Sequence, residues 1–195
     1  MSGHVYYLMG ASGSGKDSLL QGCRDRLDHS HNAVIAHRYI TRTADAGGEN
    51  HIHLTESEFA LRRDNGMFCM HWASHGHLYG IGKEVEIWIA LGLNVIINGS
   101  RHYLPEALAQ FDCITPIMVE VDTAHLKNRL LKRGRESLTE IDLRLAQHAS
   151  LLHPLPDASM LHIDNNHSLE AGVNALMQII TAAPQLDNRE PQALA

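Results

Sequence analysis

Five short apolar runs recur along the chain: Val5–Met9, Ala33–Ala36, Val95–Ile97, Ile117–Val121 and Leu161–Ile163. Each is bounded by polar or glycine-bearing segments, and each reads as a buried β-strand. The stretches between them follow a helical period. Lys16-Asp17-Ser18-Leu19-Leu20 opens one helix, and Glu58 to about Arg63 and Glu84–Leu91 form two more. In Thr123–Arg133, Leu126, Leu130 and Leu131 share a face. Thr139–Leu151 carries Ile141, Leu145 and Ala149. Ser168–Thr181 carries Leu169, Val173, Leu176, Met177 and Ile180, with Ser168 and Glu170 marking its start. Strands alternating with helices predict an α/β fold with a mostly parallel sheet flanked by helices. Arg42–His53 is polar, Gly-rich and without a period, and long irregular segments in compact domains are often functional. Periodicity is lost after Ala182. The pattern therefore predicts one domain over 1–183 and a frayed tail over 184–195.

Composition narrows the classes. With 195 residues, 44% of them hydrophobic, the chain suits a single domain with a sizeable core. No apolar run approaches the ~18 residues that span a bilayer, and no secretion signal is visible at the N-terminus. Cys23, Cys69 and Cys113 are odd in number and far apart, which argues against a disulfide framework or a thiolate zinc site and suits a reducing cytoplasm. A net charge of −6 disfavours a nucleic-acid binder working through a broad basic surface, while leaving room for a local cationic cleft.

Gly10-Ala11-Ser12-Gly13-Ser14-Gly15-Lys16 matches G-x-x-x-x-G-K between a predicted strand and a predicted helix. Small residues let successive N–H groups point at one anion, and the helix adds the positive end of its dipole. Lys16 supplies a point charge for the outer phosphates. Where a Ser or Thr ordinarily follows this lysine, the chain has Asp17 and then Ser18. A carboxylate is also a hard oxygen ligand suited to Mg²⁺. Asp17 is therefore the candidate metal contact, direct or through water, with Ser18 as the alternative.

Four further constellations follow. Arg38 and Arg42, in His37–Arg42, are spaced to share a face on a strand, and guanidinium groups suit phosphates. Met70–Ile81 is dense in aromatic and polar side chains and suits the lining of a sugar or base pocket. His71 and His75 lie four apart there, but no Cys or acidic ligand completes a metal set. Val95–Ile97 runs into Asn98-Gly99-Ser100-Arg101, with Asn98 where many phosphate-loop enzymes carry a carboxylate. Arg129, Lys132, Arg133 and Arg135, with Arg144 later, concentrate cations in a segment with the character of a lid.

Together these motifs resemble the guanylate-kinase-like branch of phosphate-loop kinases and, within it, the ribose 1,5-bisphosphate phosphokinase family. The resemblance rests on Lys16-Asp17-Ser18, Arg38–Arg42, Gly48-Glu49-Asn50-His51, Trp72–Gly80, Asn98–Arg101 and Arg133–Glu136, in order, and runs from about Val5 to Ile180. Guanylate kinases share Thr41-Arg42, the Gly-Glu pair and the Leu78-Tyr79-Gly80 pattern. The chain departs from them at Ala44-Asp45-Ala46, where they carry a second arginine, and at His51–Leu54, where they carry a tyrosine. Both departures concern the nucleotide acceptor.

The resemblance implies a P-loop kinase fold with a lid and an acceptor-binding insert around 37–81. It implies ATP and Mg²⁺ as cofactors and a phosphorylated sugar, ribose 1,5-bisphosphate, as acceptor, converted to 5-phosphoribosyl 1-diphosphate in phosphonate breakdown. Gly10, Ala11, Ser12, Gly13, Ser14, Gly15, Lys16, Asp17 and Ser18 are the expected nucleotide site. Lys16, Arg133 and Arg135 are the expected catalytic residues. Arg38, Arg42, Glu49, His51, Tyr79, Ser100 and Arg101 are the expected acceptor side. A nucleoside monophosphate kinase and an inactive interaction module are the alternatives; the intact Gly15-Lys16 argues against the second.

Overall fold

The computed structural model describes residues 3–43, 49–134, 137–150 and 160–182. The five apolar runs form one parallel sheet: β1 (Val5–Gly10), β2 (Ala33–Ile35), β7 (Asn94–Asn98), β8 (Ile114–Glu120) and β9 (Leu161–Asp164), in the order β2-β7-β1-β8-β9. Val5 pairs with Val95 on one side and Ile114 on the other. β1 is thus the central strand, and the chain moves from one side of it to the other after β7. Its carboxyl end is a topological switch point, the place where such sheets open a crevice for ligands.

Both faces of this sheet are covered. On one, Tyr6, Leu8, Ile96, Ile117 and Val119 pack with Leu19 and Cys23 of α1 (Lys16–Arg24) and with Val173, Leu176 and Ile180 of α7 (Leu169–Thr181). On the other, Tyr7, Met9, Val95 and Ile97 pack with Val85 of α3 (Glu84–Ala90) and with Leu104 and Ala107 of α4 (Leu104–Gln110). Strands sandwiched this way must be apolar on both sides, which is why their runs are continuous rather than alternating. α7 starts where Ser168 accepts a hydrogen bond from the Ala171 N–H at 3.2 Å.

The segment 37–81, the expected acceptor-binding insert, contains a second sheet. It comprises β3 (Arg38–Ile40), β4 (Ile52–His53), β5 (Phe68–Ser74) and β6 (His77–Gly82), ordered β4-β3-β6-β5. β5 and β6 form an antiparallel hairpin whose turn is His75-Gly76, both at positive φ (48° and 74°). The helix α2 (Glu56–Asp64) covers one face, burying Phe59 against Phe68 and Leu54. His71 and His75 therefore stand on a strand and a turn, and among the described residues no group of three metal-binding side chains forms.

α5 (Thr123–Arg133) and α6 (Leu138–Ser150) stand against each other through Leu126, Leu130 and Ile141, with Lys127 and Asp142 paired at 3.6 Å across them. The side chains of the expected lid residues Arg133 and Arg144, the whole of Arg135, and the tail from 183 lie outside the described residues. No helix among the described residues is long and apolar enough to cross a membrane.

Candidate active site

The loop after β1 is set by backbone geometry. The Ser14 N–H donates to the Ala11 carbonyl at 3.1 Å, closing a turn. Gly15, at φ 96°, precedes the first residue of α1, and no side chain caps that helix. A β-carbon at residue 15 would stand 2.5 Å from Asn165 Nδ2, so the position demands glycine for space as well as for φ. The first N–H groups of α1 thus carry no side-chain cap where the loop runs into the helix, the arrangement that receives anions.

The loop is braced from behind. Arg129 donates to the Ser14 carbonyl (3.1 Å) and the Asn165 carbonyl (2.6 Å), and Asn165 Nδ2 donates to the same Ser14 carbonyl at 2.6 Å. Arg129, read from sequence with the lid cations, thus holds the phosphate loop. Asn165, just past β9, was not visible as a site residue because nothing in its neighbourhood forms a motif. Lys16 folds its ammonium onto the loop, donating to the carbonyls of Gly10 (2.7 Å) and Ala11 (3.0 Å). Burial of that ammonium pulls its pKa down to about 8, partly offset by the Asp17 carboxylate.

Beside the loop lies a small open cleft lined by Asp17, Leu20, Gln21, Arg24, Ala36, Glu49, Asn50 and Asn98. Asn98, at the carboxyl end of β7, donates through Nδ2 to Asp17 Oδ1 (3.1 Å) and to Glu49 Oε1 (3.3 Å). Glu49 in turn takes both forks of Arg38, one at 2.5 Å, and lies 3.5 Å from Arg42. Arg38 is also 5.0 Å above the Tyr79 ring, and Tyr79 stacks on Trp72 at 5.6 Å between centroids. The two arginines expected on the acceptor side are therefore oriented by one nearly buried carboxylate and, for Arg38, by an aromatic face.

Other expected residues take different places. His51 lies between the carbonyl oxygens of Glu49 (3.1 Å) and Arg42 (3.0 Å), so its ring fastens the backbone on either side of the 44–48 segment. Ser100 is held through its main chain: the Tyr7 hydroxyl donates to its carbonyl and accepts from its N–H, both at 3.0 Å. Burial pushes the Tyr7 phenol well above its ordinary pKa, keeping it a neutral donor and acceptor. Arg101 opens the short 3₁₀ turn Arg101–Tyr103 that follows, and partial burial lowers its pKa. Ser18 is exposed on α1 and does not line the cleft, whereas Asp17 does.

Gln21 and Arg24 line the cleft without having been singled out from sequence. Their signal was a polar stripe: Asp17, Gln21 and Arg24 lie at i, i+4 and i+7 of α1, one helical face. Arg24 reaches the carbonyls of Ile35 (3.1 Å) and Ala36 (3.4 Å) and ties α1 to the end of β2.

The oxygen donors at the loop suit a small hard cation. Asp17 presents a carboxylate at the first turn of α1, and Asn98 Oδ1 is buried with no hydrogen-bond partner among the described residues. Carboxylate and carbonyl oxygens are the ligands Mg²⁺ prefers. The arrangement as a whole offers an anion cradle, a point charge, a hard-oxygen corner and two oriented guanidinium groups around one cleft.

Comparison with known proteins gives the family. No family profile matches the chain. The ribose 1,5-bisphosphate phosphokinase PhnN of Thiobacillus denitrificans is 44% identical over 181 residues, spanning 93% of this chain and 94% of that protein. That of Pantoea vagans is 47% identical over 181 residues, spanning 90% and 96%. Among solved structures, guanylate kinase from Anaplasma phagocytophilum superposes with a TM-score of 0.66 over 94% of this chain and 87% of that one, at 18% identity, a likeness of fold. With this identity carried across nearly its whole length, the chain belongs to the ribose 1,5-bisphosphate phosphokinase family, a family of phosphotransferases.

Proposed function

We propose that this chain transfers the γ-phosphoryl group of ATP to the 1-phosphate of ribose 1,5-bisphosphate, giving ADP and 5-phosphoribosyl 1-diphosphate. The observation that carries the reading is the clamp of Arg38 and Arg42 on Glu49, set across a shared cleft from the phosphate loop in a chain of this family. The loop cradles the donor phosphates and the arginines receive an anionic acceptor.

The chemistry asks little of acid–base groups. The nucleophile is an oxygen of a phosphate already ionised at neutral pH, so no general base has to remove a proton. What remains is to bring two anionic groups together in line and to neutralise the charge that spreads over the transferred group. The loop N–H groups and α1 bind and orient the β- and γ-phosphates. Lys16 leaves the Gly10 and Ala11 carbonyls and meets the outer phosphates. Arg38 and Arg42 turn part of their hydrogen-bonding capacity from Glu49 to the acceptor. Arg133 and Arg135 add positive charge from the lid side. Mg²⁺ fits the corner at Asp17 and Asn98, where, when bound, it neutralises phosphate charge; Asp17 holds it directly or through water. The enzyme works in the cytoplasm, within phosphonate catabolism.

The test is a comparison of acceptors under one set of conditions. ADP release from Mg·ATP should depend on ribose 1,5-bisphosphate and stay at background with GMP and with ribose 5-phosphate. Turnover with GMP and not with the sugar bisphosphate would overturn the substrate while keeping the fold.

A further inference from the structure

Phosphate-loop NTPases ordinarily hold their divalent cation with a Ser or Thr hydroxyl directly after the loop lysine and a carboxylate at the end of a nearby strand. In this chain both positions are altered. The residue after Lys16 is Asp17, and the residue that ends β7, the strand beside β1, is Asn98. The two altered residues touch, Asn98 Nδ2 donating to Asp17 Oδ1 at 3.1 Å. The carboxylate and the neutral group have changed places across a single hydrogen bond, and the pair still carries one negative charge.

Glu49 supplies the reason. Its Oε1 lies 3.3 Å from the same Asn98 nitrogen, and its side chain, 8% exposed, is fixed there by Arg38 and Arg42. A carboxylate at residue 98 would face Glu49 at hydrogen-bond distance with no proton between them, inside the protein, where like charges repel strongly. An amide donates to both neighbours instead. Asn98 is 2% exposed, lines the cleft, and keeps a buried Oδ1 without a partner among the described residues.

We infer that Asp17 and Asn98 are a transposed cation-holding pair: Glu49, required to orient the acceptor-side arginines, excludes a carboxylate from the strand end, so the carboxylate sits on α1 and Asn98 positions it. This rests on the kinase reading, with Asn98 acting as a positioning residue through Asp17.

Two experiments test it, neither using an acceptor or turnover, so their failure is separable from failure of the proposed reaction. The first is calorimetric titration of ATP with Mg²⁺ present and with it chelated. Asp17→Asn, the same size without the charge, should shrink the factor by which Mg²⁺ tightens ATP binding by about tenfold or more, with the melting temperature little changed. An unchanged factor overturns the inference. The second is a sign reversal in thermal melting. Glu49→Gln should lower the melting temperature of the natural chain, because it strips the arginines of their partner. The same change should raise the melting temperature of the Asn98→Asp variant, because it removes one of the two carboxylates, Glu49 and Asp17, that residue 98 then opposes. If Asn98→Asp alone has no cooperative transition, recovery of one in Asn98→Asp/Glu49→Gln is the same result. A fall in both backgrounds, or no transition in either Asn98→Asp chain, overturns it.

Discussion

Lys16 is the proposed catalytic charge, and its surroundings carry two predictions. Its ammonium is committed only to two loop carbonyls, so Lys16→Ala should cost about 10²–10³-fold in turnover while moving the melting temperature little. Steady-state kinetics beside thermal denaturation checks this, and a comparable loss of both would make the lysine a structural element. The second concerns protons. Burial holds the Lys16 pKa near 8, below the ordinary 10.5. Between those two values the unfolded chain binds more protons than the folded one. The group's contribution to stability therefore rises with pH across that window, and below about 8 the cost of burying the charge is fully present. Donor phosphates favour the charged form and push the pKa back up. Nucleotide binding at about pH 8.5 should then take up a proton at this site, and binding near pH 7 much less. Calorimetry in two buffers of different ionisation enthalpy measures the uptake; buffer-independent heats at the higher pH would contradict it.

At the level of elements, the phosphate loop is braced in part by Asn165, which no motif announces, and the second sheet by Glu49 of the Gly48–His51 motif. Asn165, 3% exposed, joins β9 to the loop by its bond to the Ser14 carbonyl. Asn165→Ala leaves that carbonyl to Arg129 alone and should cost about 1–3 kcal/mol in stability, with a several-fold weaker nucleotide affinity, measurable by denaturant titration and by calorimetry. Glu49 does the same for β3. Glu49→Gln strands the Arg38 charge in a mostly buried setting and should destabilise the fold by about 3 kcal/mol. An anionic acceptor would then return a partner to the arginines, so ribose 1,5-bisphosphate should raise the melting temperature of this variant more than that of the natural chain. An equal or smaller rise would mean that the arginines do not meet the acceptor.

These elements also show what sequence pattern reveals and what it hides. The five strands of the parallel sheet were readable because burial on both faces makes their apolar runs continuous, and α7 because Ser168 caps a long periodic face. The second sheet was not readable. β3 has three residues and β4 only two, both of the latter exposed, and β5 is buried only at Phe68 and Met70 before running into more open positions, in a segment whose histidines and tryptophan suggest a pocket instead. The helix α4 was missed because seven residues, with Pro105 in the first turn, are too few to give a sustained period. Within the site, the phosphate loop is local in sequence and so was legible. The bond from Asn98 to Asp17 spans 81 positions and that from Asn98 to Glu49 spans 49, and no spacing rule connects them. Only the fold brings the strand end, the helix start and the acceptor segment to one corner.

For the molecule as a whole, the sheet order places that corner at the carboxyl end of β1, where Asp17 of α1, Asn98 of β7 and Glu49, the partner of Arg38 and Arg42, line a single cleft. The chain carries a net charge of −6, yet Arg24 lines its cleft, Arg38 and Arg42 pair with Glu49 on the cleft wall, and Lys16 stands next to Asp17 in the loop. A local excess of positive charge within an acidic protein selects a small, highly anionic ligand over an extended polyanion. Such a site binds phosphates to phosphates, and the acceptor it favours is one whose reacting oxygen is itself part of a phosphate. The measurement that bears on this most directly is phosphorus NMR of the products formed from Mg·ATP and ribose 1,5-bisphosphate. A new pair of mutually coupled diphosphate resonances on C1 of the ribose, growing with ADP while the 5-phosphate signal persists, is the predicted result. Loss of ATP without that diphosphate, with or without phosphorylation elsewhere on the sugar, would contradict it.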